Sequence, residues 1–280
     1  MNKQPPGMPG AGERALQQAL AALQAGLADQ AEWLAAEAVR TNPSDARAQH
    51  LLGHVRLLRG RPADAVEPLE QAVRRSHDPA AETQLAIALR QSGRAEDALE
   101  RLERAVKRKP PFPPAFLELG NLLAELKRED EAIAVLERGL AIAPRMGELS
   151  AQLGFIHAAR NATAKAKELL ARAIAEAPRD VDALFMLARL KQGECDFAAA
   201  AELYQRMLAL TPGDAAARLG LGACLLELGQ SEAAFAAMGE AARAGGKMFG
   251  ETLTALATSG HGRFWLKPSE AAKALKSEKK

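Results

Sequence analysis

The sequence has few aromatic residues and only two cysteines. Aromatic side chains make up 4% of the 280 residues, and β-branched runs are nearly absent, which favours helices over strands. Cys195 and Cys224 cannot form a disulfide framework, and no CxxC pair or other metal-ligand spacing occurs. We therefore expect an all-α protein with two small buried thiols, no metal and no other cofactor.

The chain also lacks a strong charge excess and a long hydrophobic run. Its 37 basic and 35 acidic residues give a net charge of +2, too little to attract nucleic acid or an anionic membrane surface. No segment is long and apolar enough to cross a bilayer, and the first residues do not resemble a signal peptide. These absences predict a cytoplasmic protein with no nucleic-acid partner and no membrane insertion.

What the sequence does contain is an internal repeat. Prolines recur every 34 residues, at Pro110, Pro144, Pro178 and Pro212. An alanine recurs at nearly the same interval, at Ala31, Ala65, Ala98, Ala132, Ala166, Ala200 and Ala234. Leu-Gly or Leu-Ala pairs form another row, at Leu52-Gly53, Leu85-Ala86, Leu119-Gly120, Leu153-Gly154, Leu187-Ala188 and Leu221-Gly222. Because several rows share one period, the fold is predicted from the repeat rather than from single motifs.

These rows resemble the tetratricopeptide repeat family, whose 34-residue unit has an early Leu-Gly, a turn glycine, small residues and a closing proline. Three positions depart from that pattern: Gln18 stands in place of leucine, Lys127 replaces a turn glycine and His77 replaces a closing proline. The resemblance implies an α-α superhelix of antiparallel helix pairs, each pair covering the apolar face of the next.

The resemblance divides the chain into seven units. We place them at 12–45, 46–78, 79–112, 113–146, 147–180, 181–214 and 215–247. A disordered segment at 1–11 is expected before them, and a capping helix at 248–260 after them. The remaining 261–280 is predicted to be a tail with a short helix, in which Phe264 and Trp265 either anchor the tail or dock a partner.

In this family the first helix of each unit lines a concave groove, which implies a set of partner-binding positions. They are His50, His54, Gln84, Ile87, Arg90, Leu117, Asn121, Gln152, Phe155, Phe185, Arg189 and Leu219. His50 and His54 lie one helical turn apart, but no third ligand is near in sequence, so we interpret them as groove wall and not as a metal site.

Two kinds of protein partner fit these positions. Polar residues at the sixth place of several units, including Gln84 and Gln152, could hold the backbone of an extended peptide. Alternatively, Phe155, Phe185, Leu117 and Leu219 could seat a partner helix, and exposed aromatics are common interface anchors. We favour the apolar seat, while noting that Phe155 and Phe185 could instead be packed in the core.

The sequence thus predicts a non-catalytic interaction scaffold or adaptor. The family's chaperone co-factors clamp a terminal carboxylate with lysine, asparagine and arginine residues at set places over three consecutive units. No three units here supply that set, which argues against such a ligand. The alternative is a separate regulatory or substrate-recruiting subunit of an enzyme such as a sulfotransferase or glycosyltransferase, since repeat arrays of this family often accompany such enzymes.

Overall fold

The structure, a computed structural model, describes residues 10–258, and within that range every regular element is a helix. The chain divides into two compact units, Met1–Pro144 (unit 1) and Arg145–Lys280 (unit 2). Unit 1 contains α1 Ala11–Gln24, α2 Ala28–Thr41, α3 Ala46–Leu58, α4 Pro62–Ser76, α5 Pro79–Gln91, α6 Ala95–Ala105, α7 Pro113–Glu125 and α8 Glu129–Ile142. Unit 2 contains α9 Gly147–Ala159, α10 Thr163–Glu176, α11 Val181–Gly193, α12 Phe197–Leu210, α13 Ala215–Glu227, α14 Ser231–Ala242 and α15 Gly246–Thr258. Consecutive helices pack in pairs, so the predicted all-α architecture is confirmed.

A tight turn joins the two helices of each pair. At Gly26, Gly60, Gly93 and Gly229 this turn has a positive φ, between 67° and 81°, the region where glycine carries no steric penalty. Lys127, the departure noted in the sequence, takes φ 63° at the equivalent place. The turn geometry is therefore retained where the glycine is missing.

Aspartates start several of the first helices of pairs. The Asp45 carboxylate accepts a hydrogen bond from the Arg47 backbone N–H, and Asp78, Asp180 and Asp214 do the same for α5, α11 and α13. Such N-caps satisfy backbone donors that have no partner inside the helix. They fix where each first helix begins.

The Leu-Gly row marks a close contact between the two helices of a pair. A Cβ added to Gly53 would overlap Leu69, one on Gly120 would overlap Leu136, and one on Gly154 would lie 2.7 Å from Leu170 Cγ. Each leucine follows its glycine by 16 residues and is fully buried. The glycines are needed because the leucine side chain lies directly on the backbone of the first helix.

Some sequence predictions fall outside these observations or are changed by them. Cys224 is buried as expected, but Cys195 is exposed, in a turn where its φ is 61°, so the prediction of two buried thiols is wrong for Cys195. Most of the 1–11 segment, all of 261–280, and with it Phe264 and Trp265, lie outside the described residues. The exact bounds of the seven 34-residue repeats remain a proposal.

The last described helix, α15, packs against α13 and α14. Leu256 is buried there, with Phe249 and Leu253 against the same cluster. Helix α15 begins two residues before the predicted start of the capping helix. We still propose that α15 caps the array. None of the helices described is long and apolar enough to cross a membrane.

A buried carboxylate joins the second and third helices of unit 1. Glu32 on α2 is 9% exposed and receives hydrogen bonds from Arg56 (3.2 Å), Arg61 (3.0 Å) and Arg59. Burial alone would raise the pKa of Glu32, but the hydrogen bonds from Arg59 and Arg56 and the charges of Arg61 and Arg59 outweigh it, so the pKa lies below its ordinary 4.5.

We expect Gly120→Val to lower the free energy of unfolding by about 1 to 3 kcal/mol, because the added side chain overlaps Leu136. Urea denaturation of the full chain measures this. The matched control is Gly193→Val at the end of α11, where a Cβ meets open space. Equal stability of the two variants would contradict the close-contact explanation.

Replacing Glu32 with glutamine should destabilise the protein by about 1 to 3 kcal/mol at pH 7, since three arginines lose a charged acceptor. A lowered folded pKa gives stability that is present above 4.5 and lost as the pH falls through the folded pKa. The difference from wild type should therefore shrink on acidification. Glu67→Gln, at an exposed position of α4, is the control, and a difference that does not depend on pH would refute the role of the Glu32 charge.

Candidate functional site

An open concave surface lies in unit 1, on the first helices of its first three pairs. We call it the unit 1 groove; its volume is about 470 Å³. Helix α1 contributes Glu13, Leu16, Gln17, Leu20 and Leu23; α3 contributes Ala46, Arg47, His50, Leu51 and His54; Ser76, Asp78 and Gln84 complete the lining. Because α1, α3 and α5 contact one another in order, equivalent positions of successive pairs come to lie side by side.

The floor of the groove is apolar. Leu16 and Leu51 are buried with the core of the first two pairs, whereas Leu20 is 44% exposed. A large side chain exposed inside a concave surface offers apolar area to a ligand at little structural cost.

The middle of the groove is polar and only partly hydrogen-bonded. Gln84 Nε2 lies 2.9 Å from His54 Nδ1, and His50 Nδ1 lies 3.6 Å from Asp78 Oδ2. The other polar atoms of two of these side chains, His50 Nε2 and Gln84 Oε1, are covered from solvent and have no hydrogen-bond partner among the described residues. Such atoms are rare in folded proteins and call for a functional or structural explanation.

Two arginines on first helices of unit 1, Arg47 on α3 and Arg90 on α5, each pair with two carboxylates. Arg47 lies 2.6 Å from Glu13 and 2.9 Å from Asp45. Further along, Arg90 on α5 lies 3.3 Å from Glu118 and 2.6 Å from Glu125, both on α7. These ion pairs connect neighbouring helix pairs across the inner wall.

Glu118 is a partly buried carboxylate, and the charge of Arg90 does not fully offset the effect of burial on its pKa. Burial raises the pKa of Glu118; the Arg90 charge lowers it, and the nearby Glu125 raises it again. One turn further on α7, Asn121 Oδ1 is covered and without a hydrogen-bond partner in the described part of the chain. This stretch of α7 therefore continues the polar wall that begins on α3.

In unit 2 the predicted groove aromatics are partly buried against the core. Phe155 and Phe185 are half-buried against the core cluster of α9 to α13. The Phe185 ring meets Tyr204 edge to face at 6.0 Å, and the Arg189 guanidinium lies 6.0 Å from the Phe185 ring. Tyr204 in turn donates a hydrogen bond from its O–H to Gln192 Oε1 at 3.1 Å. The aromatic side chains thus have partners within their own unit.

The remaining predicted positions are scattered. Ile87 and Leu117 are half-buried on α5 and α7 of unit 1, while Gln152 and Leu219 are half-buried on α9 and α13 of unit 2. Leu219 packs against the cluster around Leu225 and Leu226. The four members proposed for the apolar seat therefore do not belong to a single unit.

Several groove residues were missed by the sequence analysis. Glu13 and Arg47 occupy the second place of the first two 34-residue repeats, 12–45 and 46–78, and form an ion pair between those repeats. Their shared place in the repeat could have predicted this pair. The sequence analysis did not predict Asp78 as a groove residue, because it precedes α5 as the N-cap and is not on a helix face. Among the described residues, no group of three His, Cys, Asp or Glu side chains is arranged to hold a metal ion.

The two family models that match the chain both describe tetratricopeptide repeats. A model described as tetratricopeptide repeat matches residues 16–80 and 83–146, and a second model of the same description matches 190–247. Together these segments make up more than half of the chain. No curated protein sequence matches it.

Solved structures with the same fold include pilF of Pseudomonas aeruginosa, with a TM-score of 0.61 and 21% identity, covering 73% of this chain and 93% of that one. PilW, described as a widely conserved type IV pilus biogenesis factor, gives 0.63 and 17% over 73% and 96% of the two chains. A thermophilic repeat protein of Thermus thermophilus gives 0.55 and 26% over 64% and 98%. The likenesses to pilF and PilW, both below 25% identity, show the fold alone.

His54 should titrate below its ordinary 6.5, because burial and the neighbouring His50 lower the pKa and outweigh the Gln84 hydrogen bond. A lowered histidine pKa gives stability that is present above 6.5 and lost as the pH falls through the folded value. NMR titration of the imidazole protons measures this, and His50→Gln should move the His54 value upward. Titration of His54 at or above 6.5 would contradict the arrangement.

Proposed function

Because the chain belongs to the tetratricopeptide repeat family, we propose that it is a protein-interaction scaffold whose unit 1 groove holds an extended peptide segment. The observation that carries this proposal is the groove itself: an open concavity of about 470 Å³ with an exposed leucine on its floor. Concave, largely apolar sites with a few convergent polar groups are the usual form of ligand sites.

The spacing of the polar atoms supports an extended ligand. His50 Nε2, Gln84 Oε1 and Asn121 Oδ1 stand on α3, α5 and α7, the first helices of consecutive pairs. Packed helices lie about 8 to 10 Å apart, and an extended chain advances about 3.3 Å per residue. One helix step thus matches about three residues of ligand, so side-chain rotation would let each pair offer one hydrogen bond to the ligand backbone.

The same geometry supports unit 1 over the apolar seat favoured by the sequence. Phe155 and Phe185 already pack against the core of unit 2, so a partner helix would gain only their remaining exposed area. Leu20, in contrast, offers 44% of its surface inside an open groove. The partner-binding role of the unit 1 positions is therefore the hypothesis we carry forward.

A peptide library displayed on phage and selected on the full chain tests this proposal. We expect the selected peptides to lose about tenfold or more in affinity on Leu20→Arg, because the charged side chain fills the apolar floor. The matched control is Leu58→Arg, a 60% exposed leucine that does not line the groove. Peptides that bind the Leu20→Arg protein as well as wild type would overturn the proposal, as would a selection without any groove-dependent peptide.

A further inference from the structure

Carboxylates outnumber cations along the inner side of unit 1. Arg47 is shared by Glu13 and Asp45, and Arg90 by Glu118 and Glu125. A fifth carboxylate, Asp78, faces the imidazole of His50. Even with both groove histidines, His50 and His54, counted as positive, five negative groups face four positive ones, so this surface carries a net negative charge in a chain whose total is +2.

The excess is present at both ends of the path that a ligand would follow. Glu13 and Asp45 stand at the α1–α3 end, and Glu118 and Glu125 on α7. Asp45 and Glu118 have side chains only 16% and 17% exposed, so water and salt screen them less than they screen surface charges. A segment crossing from α1 to α7 therefore meets carboxylates at both ends of its path.

The apolar floor with the exposed Leu20 lies at the α1 end of this path, on the same helix as Glu13. A ligand that satisfies the surface needs both a large apolar side chain and positive charges. We propose that the segment held by the unit 1 groove is a cationic peptide, with lysine or arginine side chains flanking a large apolar residue; this inference rests on the proposed function.

The partly buried carboxylate pair on α7 is the place where a ligand cation gains most. Arg90 serves both Glu118 and Glu125, so a lysine or arginine from the ligand would give each carboxylate its own partner. An acidic ligand would instead meet five carboxylates with two arginines already engaged. The negative charge of the surface thus favours a cationic partner, and the shape of the groove favours an extended one.

Binding of three synthetic peptides to the full chain tests the inference. The peptides are blocked at both ends, labelled with fluorescein and built from repeats of Gly-Leu-Lys, Gly-Leu-Gln or Gly-Leu-Glu. By fluorescence anisotropy at low salt we expect the lysine peptide to bind about tenfold more tightly than the glutamine peptide, and the glutamate peptide most weakly. This advantage should fall as salt is added.

A double variant locates the effect. Glu118→Gln with Glu125→Gln should weaken the lysine peptide by about tenfold and leave the glutamine peptide nearly unchanged. The matched control is Glu131→Gln, an ion-paired glutamate on α8, the second helix of the same pair rather than the first, which should change neither. Circular dichroism checks that each variant is folded.

The outcomes separate this inference from the function on which it rests. Equal binding of lysine and glutamate peptides, both lost on Leu20→Arg, would overturn the charge preference and leave the groove standing. No binding of the lysine peptide, or undiminished binding to the double variant, would also overturn the cationic ligand. Whether the groove binds peptides at all is decided independently by the library selection.

Discussion

The structure depends on a close contact between the two helices of a pair, in which, in three of the pairs, a leucine of the second helix lies on the backbone of a glycine in the first. Gly53 with Leu69 and Gly120 with Leu136 are the clearest cases in unit 1. Because this contact and its neighbours occupy one side of the first helix, the opposite side is not needed to hold the pair together. The inner wall is therefore available for other contacts.

The two units use that freedom differently. In unit 1 the inner wall carries histidines, a glutamine and shared ion pairs around an exposed Leu20. In unit 2, Tyr204 on α12 packs against the backbone of Gly220 and the ring of Phe185, and so fixes aromatic side chains into the core. The same repeat geometry thus supports an open polar surface in one unit and a packed aromatic one in the other.

Much of the fold, and less of the site, could be predicted from the sequence. The Leu-Gly row and the 34-residue period were sufficient for the paired helices, because they record the contact that every pair needs. Position within the repeat also predicted that His54 and Gln84 face the same groove. It could not show that Phe185 meets Tyr204 on the second helix of the same repeat, or that Arg47 pairs with Glu13 of the preceding repeat, since both depend on side chains from other helices. Burial depth and ion pairing are properties of the packed array, not of one helix.

The central claim is that the inner wall of unit 1 is the binding surface. Methyl NMR of the full chain with isotope-labelled leucine, recorded while the Gly-Leu-Lys peptide is added, tests it most directly. The account predicts that the methyl signals of Leu20, Leu16, Leu23 and Leu51 shift, while those of outward-facing leucines such as Leu58 stay in place. Shifts confined to residues away from these groove leucines would contradict it.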